Sequence, residues 1–298
     1  SVGVDLSSDR KSVRLSVTID EGRPVIVDHV TLTGSDVLGA PDRKRLDQQL
    51  TVKAGEPRDV AQLLASQDAA RHMLRENSFA YATVDVKEGP VLEQVSVVIE
   101  IAAAPGPRTV FGPVDVQGLK HIKGILVHRA MRFAPGEAYR ESLVLASQRR
   151  LGALQVFDFV HVTTEAPEGQ QPPAIPTVVT VTEATPRRLE FGVGYGSEDK
   201  LRGSVAWRHL NLGGAGQQFN ALGKWSKTLS GVSFGYNIPY PFRRTTAAET
   251  QAYAWWTDIP TYTSQTYGGR IDAVYRFSPI GAAHRENRRD IILRAGYR

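Results

Sequence analysis

There is no cysteine among the 298 residues. That excludes disulfides, thiolate nucleophiles and cysteine-ligated zinc. There is also no apolar run near the ~20 residues that a membrane-spanning helix needs. The start, Ser1-Val-Gly-Val-Asp, has neither a basic region nor an apolar core, so no signal peptide is read there. A chain opening on Ser is expected to be a mature protein or a fragment. The seven His are scattered, with no His-Glu-x-x-His and no ligand spacing, so neither a metal nor a cofactor is expected. Basic residues exceed acidic ones by only 36 to 31, a net charge of +5. That suits an anionic membrane surface among other partners, and nucleic acid is not expected. None of these absences bears on a membrane β-barrel, whose strands alternate rather than run apolar.

What is present is a repeat followed by a change of pattern. The first residues, 1–22, hold one weakly alternating strand, Val13 to Ile19, closed by Asp20-Glu-Gly22. Then come a strand (Pro24–Leu32), a short helix (Pro41–Leu50), a longer helix and two strands (Tyr81–Val86, Val91–Ile101). Pro57 marks the entry of the longer helix, and Val60, Leu63, Leu64, Ala70, Met73 and Leu74 form its apolar stripe. The same order recurs as a strand (Val110–Val116), two helices (His121–Met131, Tyr139–Gln155) and strands at Asp158–Thr164 and Thr177–Thr182. The loops Val52-Lys-Ala-Gly-Glu56 and Phe133-Ala-Pro-Gly-Glu137 precede the second helix of each unit and mark the two β-α-α-β-β units as homologous.

From Arg187 onward nearly every segment reads as a strand. The switch falls at Leu189–Tyr195. There Leu189, Phe191, Val193 and Tyr195 point to one side, and Glu190, Gly192 and Gly194 to the other. Leu201–Leu212, Gln217–Ser226, Gly231–Ile238, Thr250–Thr257, Tyr267–Phe277 and Asp290–Tyr297 follow, near the 9–11 residues that cross a bilayer when tilted. Trp225, Trp255 and Trp256 lie near strand ends, as in aromatic girdles. A soluble antiparallel sheet with one wet face is the alternative. Bacterial barrels close with an even number of strands, from 8 upward, so further strands are expected beyond residue 298. Gly231-Val-Ser233-Phe-Gly235 matches a nucleophile elbow, but it sits inside an alternating strand where the elbow needs strand-turn-helix. No enzyme is expected. Arg243-Arg244 and Arg285, Arg288 and Arg289 fall in turns. Both clusters lie on the periplasmic side if Leu189 starts there.

Three stretches carry a resemblance: Phe191-Gly-Val-Gly-Tyr-Gly-Ser197, Arg208-His-Leu-Asn-Leu-Gly-Gly-Ala-Gly216 and Ile238-Pro-Tyr-Pro241. Following two β-α-α-β-β units, they resemble the outer-membrane protein assembly family, whose members carry POTRA domains before a β-barrel. Within it the sequence looks most like the TamA branch. The fold this implies is α+β POTRA domains, then the N-terminal part of an antiparallel transmembrane β-barrel. Residues 1–22 would close a preceding POTRA domain, 23–104 and 105–184 would be two more, and 185–298 the first barrel strands. The implied location is the bacterial outer membrane, with the POTRA domains in the periplasm. The implied activity is assembly and insertion of unfolded β-barrel or autotransporter clients, with a periplasmic TamB-like partner in the TamA branch and the lipid bilayer as surroundings.

The implied contact residues follow from the same resemblance. Client strands would pair with the POTRA edges at Tyr81, Thr83, Val84 and Val86, and at Asp158, Phe159, Val160 and Val162. A client would be templated at the seam strand Leu189, Glu190, Phe191, Gly192, Val193, Gly194 and Tyr195, where glycine weakens strand packing. A BamA-like core assembly subunit and a two-partner-secretion pore are the alternatives.

Overall fold

A computed structural model of the chain describes residues 2–6, 13–17, 24–89, 95–166, 169–241, 246–277 and 291–297. The chain divides into two compact units, residues 1–108 and 109–298.

The first unit opens with β1 (Val2–Leu6) and β2 (Val13–Val17), paired antiparallel. Of the strand expected over Val13–Ile19, residues 13–17 form β2 and the rest lie outside the described residues; β2 has a partner in β1 that was not expected. An α/β layer follows: β3 (Ile26–Thr33), α1 (Ala40–Gln49), α2 (Val60–Glu76), β4 (Thr83–Glu88) and β5 (Ser96–Ala104). The sheet order is β3-β5-β4, with β5 parallel to β3 and antiparallel to β4. Leu46 and Leu74 from the helices meet Val27, Ile99 and Ile101 from the sheet in a closed core. Helix α2 starts later than the Pro57 signal suggests. Asp59 caps it, accepting a hydrogen bond from the Ala61 N–H at 2.8 Å. The apolar stripe is also narrower than expected. Leu63, Ala70, Met73 and Leu74 are buried, but Val60 and Leu64 are 52% and 56% exposed.

The second unit repeats the layer with β6 (Val110–Gln117), α3 (Gly124–Ala130), α4 (Glu141–Gly152), β7 (Phe157–Thr164) and β8 (Ala174–Glu183), in sheet order β6-β8-β7. The recurring loop has the same job in both copies. Val27 and Phe111 each donate to the loop glutamate's carbonyl, Glu56 at 2.9 Å and Glu137 at 2.8 Å. The loop glycines Gly55 and Gly136 donate back, each at 2.8 Å. The loop therefore clips onto the first strand as an extra rung. Behind it, buried Ser66 accepts from the Thr51 and Val52 N–H groups, and Ser147 from the Arg132 N–H. After the first strand of each layer a glycine, Gly34 or Gly118, holds a left-handed φ. A Cβ there would stand 1.9 or 2.0 Å from the carbonyl oxygen of Ala103 or Val181, so only glycine fits.

Beyond β8 the second unit is one antiparallel sheet. Its strands are β9 (Arg187–Gly196), β10 (Lys200–Leu212), β11 (Gln217–Trp225), β12 (Leu229–Pro239), β13 (Thr246–Ile259), β14 (Tyr262–Phe277) and β15 (Ile291–Tyr297). They form a seven-stranded meander in strict sequence order. Lengths run from 7 residues in β15 to 16 in β14, and β10, β13 and β14 exceed the expected span. The register sorts the side chains cleanly. Leu189, Phe191 and Val193 pair with Trp207, Val205 and Gly203, and the row continues through Ala221, Phe234, Ala252 and Gly269. The other face carries Glu190, Ser204, Lys224, Gln251, Arg270 and Asp272, the last two as an ion pair at 2.6 Å. One face is apolar and exposed and the other polar, the pattern of strands between lipid and a wet lumen.

Candidate functional site

Two places draw the expected residues together, the free edge of β9 and the free edges of the two α/β layers; a third, a joint between the second α/β layer and the sheet, was not expected.

Among the described residues β9 is a terminal strand paired only with β10, in unbroken register from Arg187↔His209 to Gly196↔Lys200. Its outer rim carries unpaired backbone groups among the described residues, a ready template for another strand. Leu189, Phe191, Val193 and Tyr195 share the apolar face, and Val193 is 84% exposed. Glu190, Gly192 and Gly194 share the polar face. The glycines do more than thin the strand. A Cβ on Gly192 would meet Ser204 Oγ at 2.5 Å, and one on Gly194 would meet Arg202 Nε at 2.7 Å. Their absence of side chain makes room for β10 side chains to lie across β9. On the apolar face, Gly203 and Gly223 floor a shallow depression of about 530 Å³, walled by Phe191, Val193, Trp225, Val232 and Trp256.

The expected POTRA edge strands are edges: β4 and β7 each end a three-stranded sheet. Thr83, Val84 and Val86 lie in β4, whereas Tyr81 sits in the turn before it. Asp158, Phe159, Val160 and Val162 lie in β7. Val84 and Val162 turn into the cores, while Phe159 is 54% exposed.

The joint is the feature that residue-by-residue reading missed. Tyr240 follows β12 at a left-handed φ of 52° and is 4% exposed. Its ring stacks under the Arg150 guanidinium at 4.4 Å, and the Arg150 Nε–H donates to its hydroxyl at 2.8 Å. Arg129 donates to its carbonyl at 3.1 Å. The β10–β11 turn makes a second contact, with the Lys123 N–H donating to the Gly214 carbonyl at 2.8 Å. Asn211 Nδ2 donates to the His121 carbonyl at 3.4 Å, and Gln218 Nε2 to the Leu154 carbonyl at 2.7 Å. At the end of β8, the Glu183 carboxylate accepts from the N–H groups of Lys120, His121 and Ile122 at 2.7 to 3.0 Å. Burial opposes its ionisation, but these donors and the His121 ring together hold it below the usual carboxylate range. The only sign of Tyr240 in the sequence is its place in Ile238-Pro-Tyr-Pro241.

These contacts put the β10–β11 and β12–β13 turns beside the second α/β layer. The β9–β10 and β11–β12 turns meet at the far end, where the Lys227 N–H donates to the Asp199 carbonyl at 3.1 Å. Trp225 and Trp256 lie toward that far end. Arg243-Arg244, Arg285, Arg288 and Arg289 lie outside the described residues. Ser233 is buried mid-strand in β12, opposite Tyr253, with no turn or helix at the Gly231–Gly235 match. Among the described residues no cluster of His, Asp and Glu could hold a metal ion, and no helix is long and apolar enough to cross a membrane.

No protein-family model matches the chain. Among curated proteins it is similar to the outer membrane protein assembly factor BamA of Neisseria meningitidis serogroup B. The two are 22% identical over 237 residues, 80% of this chain and 29% of that protein. BamA of Neorickettsia risticii is 25% identical over 190 residues, 62% of this chain and 24% of that protein. The chain thus spans less than a third of the length of these relatives. Among solved structures, BamA from Haemophilus ducreyi lacking POTRA domains 1–3 superposes with a TM-score of 0.66 at 19% identity, over 85% of this chain and 48% of that one. These relatives carry the BamA name, so the nearness to TamA rests on the sequence motifs alone. The chain is thus similar to BamA over most of its own length and shares the fold of POTRA domains followed by antiparallel barrel strands.

Proposed function

We propose that the chain is part of an outer-membrane protein assembly factor. It holds unfolded β-clients by strand addition at β4 and β7 and templates their insertion at β9. Residues 23–104 and 105–184 are its POTRA domains, residues 1–22 belong to a preceding one, and 185–298 begin the barrel. The observation that carries this reading is the free edge of β9, bordered by an apolar face made for lipid. An edge strand offers main-chain hydrogen bonds to any extended peptide, which gives affinity with little sequence preference. Hydrogen bonding and apolar burial supply the driving force, with no nucleotide and no catalytic residue. The TamA branch is the finer assignment, and with it a TamB-like periplasmic partner.

Because the chain has no cysteine, single cysteines at Glu190 and Gly192 are unique handles. Each should crosslink to a cysteine in the terminal strand of a barrel client caught during assembly. Normal client assembly without crosslinks at either position would rule out templating at β9.

A further inference from the structure

The free edges of the two α/β layers are not bare. The Gln67 side chain on α2 donates through Nε2 to the Val84 carbonyl on β4 at 2.5 Å. The Gln148 side chain on α4 accepts through Oε1 from the Val162 N–H on β7 at 3.2 Å. Both groups lie on the outer rim of an edge strand. In β4 the Gly89 N–H is spent on Val98 of β5. By the alternation of antiparallel pairing, Val84, Val86 and Glu88 therefore direct their main-chain groups away from β5. In β7 the Val162 N–H goes to Gln148 and so points away from β8.

The two glutamines hold equivalent places in the repeat. Each directly follows the buried serine that pins its helix, Ser66 or Ser147. Each also lies three residues after an exposed leucine, Leu64 or Leu145, 56% and 49% exposed. Residues three apart share a helix face, so leucine and glutamine stand together beside the edge strand.

A primary amide carries the same donor and acceptor groups as a peptide unit. We propose that Gln67 and Gln148 are placeholders. Their amides occupy one rung of each POTRA edge, and an incoming client strand must displace them to pair along its whole length. Leu64 and Leu145 give that strand an apolar wall. The amides keep the edge from pairing with copies of itself, and each breaks for the loss of a single hydrogen bond. This rests on the strand-addition reading above and adds its regulation.

The two amides face opposite groups, and this gives a test in the full chain held in detergent micelles. A glutamate keeps the acceptor but loses the donor. Q67E should uncap the Val84 carbonyl, whereas Q148E should keep Val162 capped. Q148L should uncap Val162 while preserving side-chain length. The probe is a fluorescent ten-residue peptide of alternating valine and threonine. Site-resolved hydrogen exchange at Val162 should quicken at least ~10-fold in Q148L and stay near wild type in Q148E, since one protecting hydrogen bond is lost only in the former. Peptide affinity should rise about fivefold in Q148L and Q67E, the equivalent of one net hydrogen bond. Unchanged Val162 exchange in Q148L, or equal or weaker peptide binding, would overturn the placeholder role and leave strand addition standing. Absence of peptide binding by wild type and every variant would overturn both.

Discussion

Glu183 shows how one side chain can organise a junction. Its carboxylate collects three consecutive backbone N–H groups just as the chain leaves β8 for β9, and its side chain is only 10% exposed. A carboxylate held below its unfolded value contributes stability that is present above the unfolded pKa and lost as pH falls through the folded one. The 120–122 loop should therefore be stable at neutral pH and weaken as acid drops below the ordinary carboxylate range near ~4.3. The helical circular-dichroism melting temperature should fall between about pH 5 and pH 3 in wild type and fall less in Glu183→Gln. An equal fall in both would remove Glu183 as the source. Nothing in the sequence marks this glutamate. Its partners lie some sixty positions away, and its role comes from backbone groups, which are the same in every sequence.

At the level of elements, alternation was easy to read and burial was not. Strand alternation follows from a two-residue period that needs no tertiary knowledge. Hence the seven strands of the sheet, and both faces of Leu189–Tyr195, are legible. The stripe on α2 overreached because apolar residues at helical spacing do not say which are covered. Val60 and Leu64 satisfy the period and face outward. Gln67 and Gln148 gave no signal at all, since a polar residue on a helix reads as solvated. The repeat also separates two uses of glycine. Gly136 has a left-handed φ of 88°, and a Cβ added there would meet nothing within 4 Å, whereas one on Gly118 would face the Val181 oxygen at 2.0 Å. Gly136→Ala should cost only the conformational penalty, roughly 1–2 kcal/mol. Gly118→Ala must also shift a main-chain oxygen of the central strand and should cost visibly more. Denaturant midpoints of the helical signal rank the two, and equal losses would contradict the contact.

For the whole molecule, the joint at Tyr240 is where the second POTRA layer grips the sheet. A non-glycine residue in the left-handed region costs about 1–2 kcal/mol, which the buried ring and its two arginines offset. Tyr240→Ala should remove on the order of 3 kcal/mol of docking, by the scale of buried aromatic truncation. Spin labels on Leu145 and Trp225 should then report a broadened distance distribution, with the α/β layer still folded. A distribution as narrow as that of the parent would mean that the contacts of β10, β11 and their turn hold the joint without Tyr240.

The described helices all lie in the α/β layers, and all four tryptophans lie in the sheet. Helical ellipticity and tryptophan fluorescence therefore follow different parts of one chain. They should part company, because the two parts are completed by different materials. Stable folds are built of at least two packed layers. Each α/β layer supplies both of its own, helix on sheet, with a closed core between. The seven-stranded sheet supplies one, and its apolar face meets nothing from the described residues. If the chain is the assembly factor proposed above, the second layer is hydrocarbon, a component that the gene does not encode. On that reading the sheet should reach its final form only in contact with lipid or detergent, whereas the POTRA layers should be finished in water beforehand.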